Sequence, residues 1–274
     1  MTTDEAIHID LDRDERRLMI LALNEYGGLA KRGSELLPPA VGTSNAEDWI
    51  ACYTRLRDII NIQGPLIDLD WARALFLVEA SFGSQLVGTG WEWEIGQSSE
   101  KHVLVLRSLQ DKIRTDERSR LLREKTAFPA SNKVGTVDGS DGQTAATDPV
   151  ELDDDERSLM SRTLGAYAKS PQRGFDLLAP MAGQPTFENW ASHTAKLHSA
   201  VTDNRQLHDL DWARALFLTE IGFTSVIAGF GSQFKGADAR GIGTLRSLQR
   251  TIGNVVRRQL FRDNATYPWI RYDD

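Results

Sequence analysis

The sequence predicts an all-α protein made of two homologous four-helix bundle-like domains in tandem, and three observations lead to that expectation. The string DLDWARALFL occurs at Asp68 to Leu77 and again at Asp209 to Leu218, 141 residues further on. The same offset, without a gap, lays Leu11-Asp12, Asp14-Glu15-Arg16 and Leu18-Met19 on Leu152-Asp153, Asp155-Glu156-Arg157 and Leu159-Met160, Trp49 on Trp190 and Glu79 on Glu220. After a two-residue shortening, LRSLQ at Leu106 to Gln110 recurs at Leu245 to Gln249. A repeat this long denotes whole domains and not the short units of a solenoid. Apolar residues recur at helical spacing, and no alternating run bounded by turn residues suggests a strand.

Residues 1–129 form the first expected domain and 150–274 the second. Between them, residues 130–149 contain no aromatic residue, Leu or Ile and are rich in Gly, Ser, Thr, Ala and Asp, the composition of a flexible linker. The first helix of each half starts at Asp12 or Asp153, where an acid three residues on, Glu15 or Glu156, completes a capping box. A short turn follows. The second helix opens at Ser44 or Asn45 and spaces Trp49, Tyr53, Leu56 and Ile60 along one face, matched by Trp190, Thr194, Leu197 and Val201. Pro65 precedes the third helix, expected from Asp68 or Asp70 to near Gly88. Trp71, Leu75, Val78, Phe82 and Leu86 form its apolar stripe, with Arg73 opposite, which makes it the central helix of the bundle. The fourth runs from about Glu100 to Lys125, where Phe128-Pro129 stops it.

Composition narrows the function classes. Hydrophobic residues make up 41% and charged residues 26% of the 274 positions, which excludes wholesale disorder. Each half is long enough to bury about two thirds of its unfolded surface and to fold alone. No apolar run suffices for a membrane span, and the acidic start MTTDEAIHIDLD is unlike a secretory signal, so a cytoplasmic protein is expected. The single cysteine, Cys52, excludes an internal disulfide and a cysteine-based zinc site. Residues 1–129 hold 16 basic and 21 acidic side chains, a net −5, whereas residues 150–274 are neutral. An acidic first half disfavours nucleic acid or an anionic membrane as partner. The last helix does hold Arg246, Arg250, Arg257, Arg258 and Arg262, and it is expected to pack against the acidic first half.

Glu79 and Glu220 break the apolar stripe of the third helix. A buried carboxylate needs a cation, water or a proton, and the expected solution is a structural pair with an arginine: Arg107 or Arg246 of the fourth helix, or Arg16 or Arg157 of the first. The rival expectation is an inter-helix ligand pocket built on Glu79, Glu220, Arg107 and Arg246. Asp68 and Asp70, with Asp209 and Asp211, resemble a metal-binding DxD, but at a helix start they satisfy free N–H groups and the dipole. His193 and His198 are five residues apart and cannot share a metal on one helix face. No cofactor or metal is expected. Gly-rich connections after the third helix carry Trp91 and Trp93 in one half and Phe230 and Phe234 in the other, and the C-terminal tail carries Trp269. Such aromatics either fold back over the bundle end or contact a partner. The expected function is a non-enzymatic module, inhibitor or adaptor, that binds another protein, with its two repeats packed on each other in a pseudo-two-fold arrangement. The alternatives are a small-ligand binder or enzyme using the Glu79 and Glu220 pocket and, less favoured, a nucleic-acid binder using the last helix.

Overall fold

The computed structural model describes residues 5–27, 33, 35–88, 99–128 and 149–265. Among them are eleven α-helices and no strand; Ile7 and Leu66 make an isolated antiparallel bridge. The first half holds α1 (Arg13–Glu25), α2 (Ala46–Asn61), α3 (Asp68–Gly83), α4 (Ser99–Ile113) and α5 (Asp116–Glu124). The second holds α6 (Asp154–Lys169), α7 (Gln172–Leu178), α8 (Phe187–Thr202), α9 (Asp209–Thr224), α10 (Asp238–Ile252) and α11 (Val255–Asp263). The linker expected at 130–149 lies, save for its last residue, outside the described residues.

Local chemistry accounts for the helix starts. Both capping boxes form: Asp12 accepts from the Glu15 N–H while Glu15 accepts from the Asp12 N–H, and Asp153 and Glu156 repeat the pattern. Asn45 caps α2 and Thr186 caps α8. The third helices start without a side-chain cap, their N-cap residues being Ile67 and His208. Asp68 and Asp209, inside the first turn, have another task, which explains a further departure from expectation.

The expected fourth helix is two helices in each half. Thr115 accepts from the Arg118 N–H and Asn254 from the Arg257 N–H, so each starts a new helix just past the end of the last. Arg118 then reaches back to the Ile113 carbonyl at 2.7 Å and Arg257 to the Ile252 carbonyl at 2.9 Å, satisfying groups that the helix end leaves bare. The same guanidinium groups pair with Asp68 at 2.7 Å and Asp209 at 2.8 Å. Each repeated aspartate thus ties the start of a third helix to the break between the last two. The third helices also stop earlier than expected, at Gly83 and Thr224, because the chain turns extended at Ser84 and Ser225. In the second half the turn expected after the first helix contains a short kinked helix, α7.

Packing follows the apolar faces. In the first half α1 lies on α2, α3 and α4, and α5 covers α3; in the second α6 lies on α8, α9 and α10, and α11 covers α9. Thirteen of the sixteen residues of α3 are buried, so it has almost no face left for solvent. The halves meet where α3 crosses α9 and α4 crosses α10, and a single apolar core contains residues of both. The crossing is close. A Cβ on Gly83 would lie 2.1 Å from Thr224 Oγ1, so only glycine fits there. Among the described residues no helix is long and apolar enough to cross a membrane.

Candidate functional site

Glu79 and Glu220 come together at this crossing, each completely buried. Glu79 Oε1 accepts from Gln110 Nε2 at 2.7 Å and from the Val226 N–H at 2.8 Å, and its Oε2 accepts from Ser225 Oγ at 2.5 Å. Glu220 Oε1 accepts from Gln249 Nε2 at 2.7 Å and the Gln85 N–H at 2.9 Å, and its Oε2 from Ser84 Oγ at 2.6 Å. Each carboxylate therefore belongs to one half and takes two of its three donors from the other. The serines are aimed by their own turns. Ser225 Oγ accepts from the Ile227 and Ala228 N–H groups, which occupies both of its lone pairs and turns its proton toward Glu79.

The expected Glu–Arg pairs are replaced by a relay. Arg107 Nη1 donates to Gln110 Oε1 at 2.9 Å, and Gln110 passes its amide N–H to Glu79; Arg246 and Gln249 do the same for Glu220. The arginines spend other donors on the free carbonyls that end the opposite half's third helix. Arg107 donates to the Phe223 and Thr224 carbonyls and, through Nε, pairs with Asp238 at 2.8 Å; Arg246 donates to the Phe82 carbonyl. Gln110 and Gln249 add bonds to the Thr224 and Gly83 carbonyls. Two repeated strings thereby interlock, with LRSLQ of one half capping the helix begun by DLDWARALFL of the other.

Burial pushes both carboxyls up to about 7, against the pull of the serine, backbone and glutamine donors and of the nearby arginine. A ligand could reach Glu79 or Glu220 only by displacing the serine and glutamine around it. Arg16 and Arg157 are not among the groups that hydrogen-bond either carboxylate. His193, which stands where the first half has Cys52, lies 3.8 Å from Asp211; burial and Arg214 push it down to about 4, so it is neutral at pH 7.

The aromatic candidates separate. Phe230 and Phe234 are each 3% exposed; Phe230 packs on Tyr167 at 4.9 Å and under Arg173, and Phe234 on Phe223 at 5.0 Å and under Arg162. Their burial follows the alternative in which these aromatics fold back over the bundle end, and it leaves neither ring enough surface for a protein partner. Trp91, Trp93 and Trp269 lie outside the described residues. The basic last helix is only partly committed: Arg257 is buried on Asp209 of its own half, Arg262 reaches Glu35 of the first half at 3.7 Å, and Arg250 is exposed.

An unforeseen surface lies on α2. Ile50 is 45% and Ile62 76% exposed, and a shallow groove of about 770 Å³ runs past Glu47, Ile50, Ala51, Thr54 and Ile59. At the matching positions of α8 and just beyond it stand Ala191 for Ile50, Ala200 for Ile59 and Asp203 for Ile62. Arg55, on the rim, is held in a two-bond pair by Asp70, whereas Glu47 and Asp48 are exposed. The signal was present in the sequence as three isoleucines unmatched in the other half, but spacing alone does not say which face of a helix the core leaves uncovered. Among the described residues no cluster of His, Cys, Asp and Glu could hold a metal. Comparison with models of known families, with curated proteins and with solved structures finds no match to this chain.

Proposed function

We propose that this chain is a protein-binding module, an adaptor or inhibitor, made by duplication of one helical unit whose copies pack about a pseudo-two-fold axis. The duplication is supported by the repeated strings, by helix bounds that recur at matched positions, and by the reciprocal bonding of Glu79 and Glu220. A pair of copies built this way holds its own interface internally and leaves each outer surface free to diverge. The observation that carries the function is the outer face of α2. Its groove carries Ile50 and Ile59 where the second half has two alanines, and a contiguous apolar patch on a surface marks a contact site. The partner that fits is a protein with an apolar contact surface and a basic rim facing Glu47 and Asp48. Trp91, Trp93 and Trp269 remain candidates to extend that contact. A cytoplasmic setting suits the buried free thiol of Cys52.

The test is site-specific photo-crosslinking in cells from position 50, with position 191 as the internal control. A partner trapped at 50 and not at 191 is expected. Once that partner is purified, Ile50→Asp should weaken its binding about 30-fold, a loss of about 2 kcal/mol at a buried anchor, with the melting temperature unchanged. Equal crosslinking at both positions, or an affinity indifferent to Ile50→Asp, would refute the proposal.

A further inference from the structure

The second half contains a hollow at a place where the first half has two bonded side chains. In the first half Arg57 on α2 donates to Asn24 on α1 at 3.4 Å, so two side chains bridge the helices. At the matching positions the second half has His198 and Gly165. The missing side chain is essential: a Cβ on Gly165 would lie 2.8 Å from His198 Nε2, and without it the imidazole settles against the α6 backbone. Beside this contact opens a pocket of about 360 Å³, lined by Ser161, Arg162, Lys169, Ser170, His198 and Phe230 among others. That volume is at the lower end of small-molecule sites.

Its lining is basic and contains no carboxylate. Arg162 is positioned by stacking on the Phe234 ring at 4.4 Å and by one bond from Nη2 to the Gln233 carbonyl, which leaves most of the five guanidinium N–H donors unused. The side chains of Lys169 and His198 form no hydrogen bond or ion pair with the described residues. The positions equivalent to Ser161, Arg162 and Ala166 are Ile20, Leu21 and Glu25, so neither the Arg162 cation nor the Ser161 hydroxyl follows from the shared core. Two cations, an imidazole and two hydroxyls, that of Ser161 also bonded to Thr202 Oγ1 at 2.8 Å, surround one hollow and suit a tetrahedral dianion, which offers more acceptor oxygens than a carboxylate. Phe230, whose ring is held by Tyr167 and Arg173, adds a small apolar edge to the lining.

We propose that this pocket between α6 and α8 binds a small phosphate monoester, with the phosphoryl group on Arg162, Lys169 and His198 and the organic part against Phe230. The site lies in the half opposite the α2 face and does not depend on it. The experiment is calorimetric titration of the full chain with phenyl phosphate, inorganic phosphate and benzoate at constant ionic strength. Saturable binding of phenyl phosphate with Kd of about 1 mM or tighter is expected, with inorganic phosphate weaker and benzoate at least about tenfold weaker. Arg162→Ala, with its folding checked by the melting temperature, is expected to weaken phenyl phosphate about tenfold or more, and Gly165→Asn, which installs the first half's side chain, to abolish binding. Arg250→Ala, a basic residue elsewhere on the surface, should change nothing. Absence of saturation by about 10 mM, benzoate binding as well as phenyl phosphate, or equal losses from Arg250→Ala and Arg162→Ala would overturn the assignment.

Discussion

Replacing Glu79 by alanine removes the acceptor shared by Ser225, Val226 and Gln110. Gln110 keeps its bond to the Thr224 carbonyl but loses the other of its two amide N–H bonds, and the Val226 N–H and the Ser225 hydroxyl lose the partners they have in the fold. A stranded buried donor costs about 1–3 kcal/mol, so three of them near the low end, with a small cavity, amount to about 3–5 kcal/mol. That cost depends on pH in a definite direction. Burial raises the folded carboxyl from 4.5 to about 7, so the folded state binds the proton more tightly than the unfolded chain does. The associated stability is complete below about pH 4.5 and is lost as pH rises through 7, by about 3 kcal/mol for that shift. The alanine variant has lost this titration, while Glu220 keeps its own in both proteins and cancels. Urea unfolding at pH 5 and pH 8, at fixed ionic strength, should therefore show a gap of about 3–5 kcal/mol between wild type and variant at pH 5 that narrows by about 2–3 kcal/mol at pH 8, the remainder of the shift being already lost by pH 5. A gap that widens with pH would refute the reasoning. It would mean that the three donors stabilise the ionised carboxylate by more than burial costs it.

Three further outcomes follow from the same contacts. Gly83→Val places new atoms where even a Cβ would lie 2.1 Å from Thr224 Oγ1, and should destabilise the fold by about 1–3 kcal/mol, read by differential scanning calorimetry. Arg257→Met leaves Asp209, whose side chain is 3% exposed, without its cation and should cost about 3–5 kcal/mol; Arg118→Met should cost less, because Asp68 is 20% exposed and water can replace the arginine. Equal losses in the two halves would contradict that difference. Ile62→Asp, at a side chain 76% exposed, should change stability by no more than about 0.5 kcal/mol while reducing binding of any partner trapped at position 50.

The helical class, the helix starts at Asp12 and Asp153, the central place of the third helix and the anomaly of Glu79 and Glu220 are all determined by the sequence itself. These features depend on neighbours three or four residues away or on periodicity along one helix, and such information is local. Even the relay residues were partly visible, since Gln110 and Gln249 end the repeated LRSLQ string, and Ser84 and Ser225 match at the same 141-residue offset. What the sequence could not assign was direction. An unpaired carboxylate in an apolar stripe indicates that donors must come from somewhere, and arginine is the expected donor because charge opposes charge. Only the crossing of α3 with α9 decides that a serine hydroxyl and a backbone N–H arrive first from the other half, leaving Arg107 and Arg246 to hold the glutamines and cap helix ends. The break between α4 and α5 has the same origin, because Arg118 stabilises it through Asp68, fifty residues earlier in the chain. The burial of Phe230 and Phe234, the exposure of Ile50 and Ile62, and the hollow over Gly165 are likewise tertiary. Whether an apolar side chain is covered, or a missing one leaves space, depends on which helix lies opposite, and that is settled by the packing of the two halves as one body.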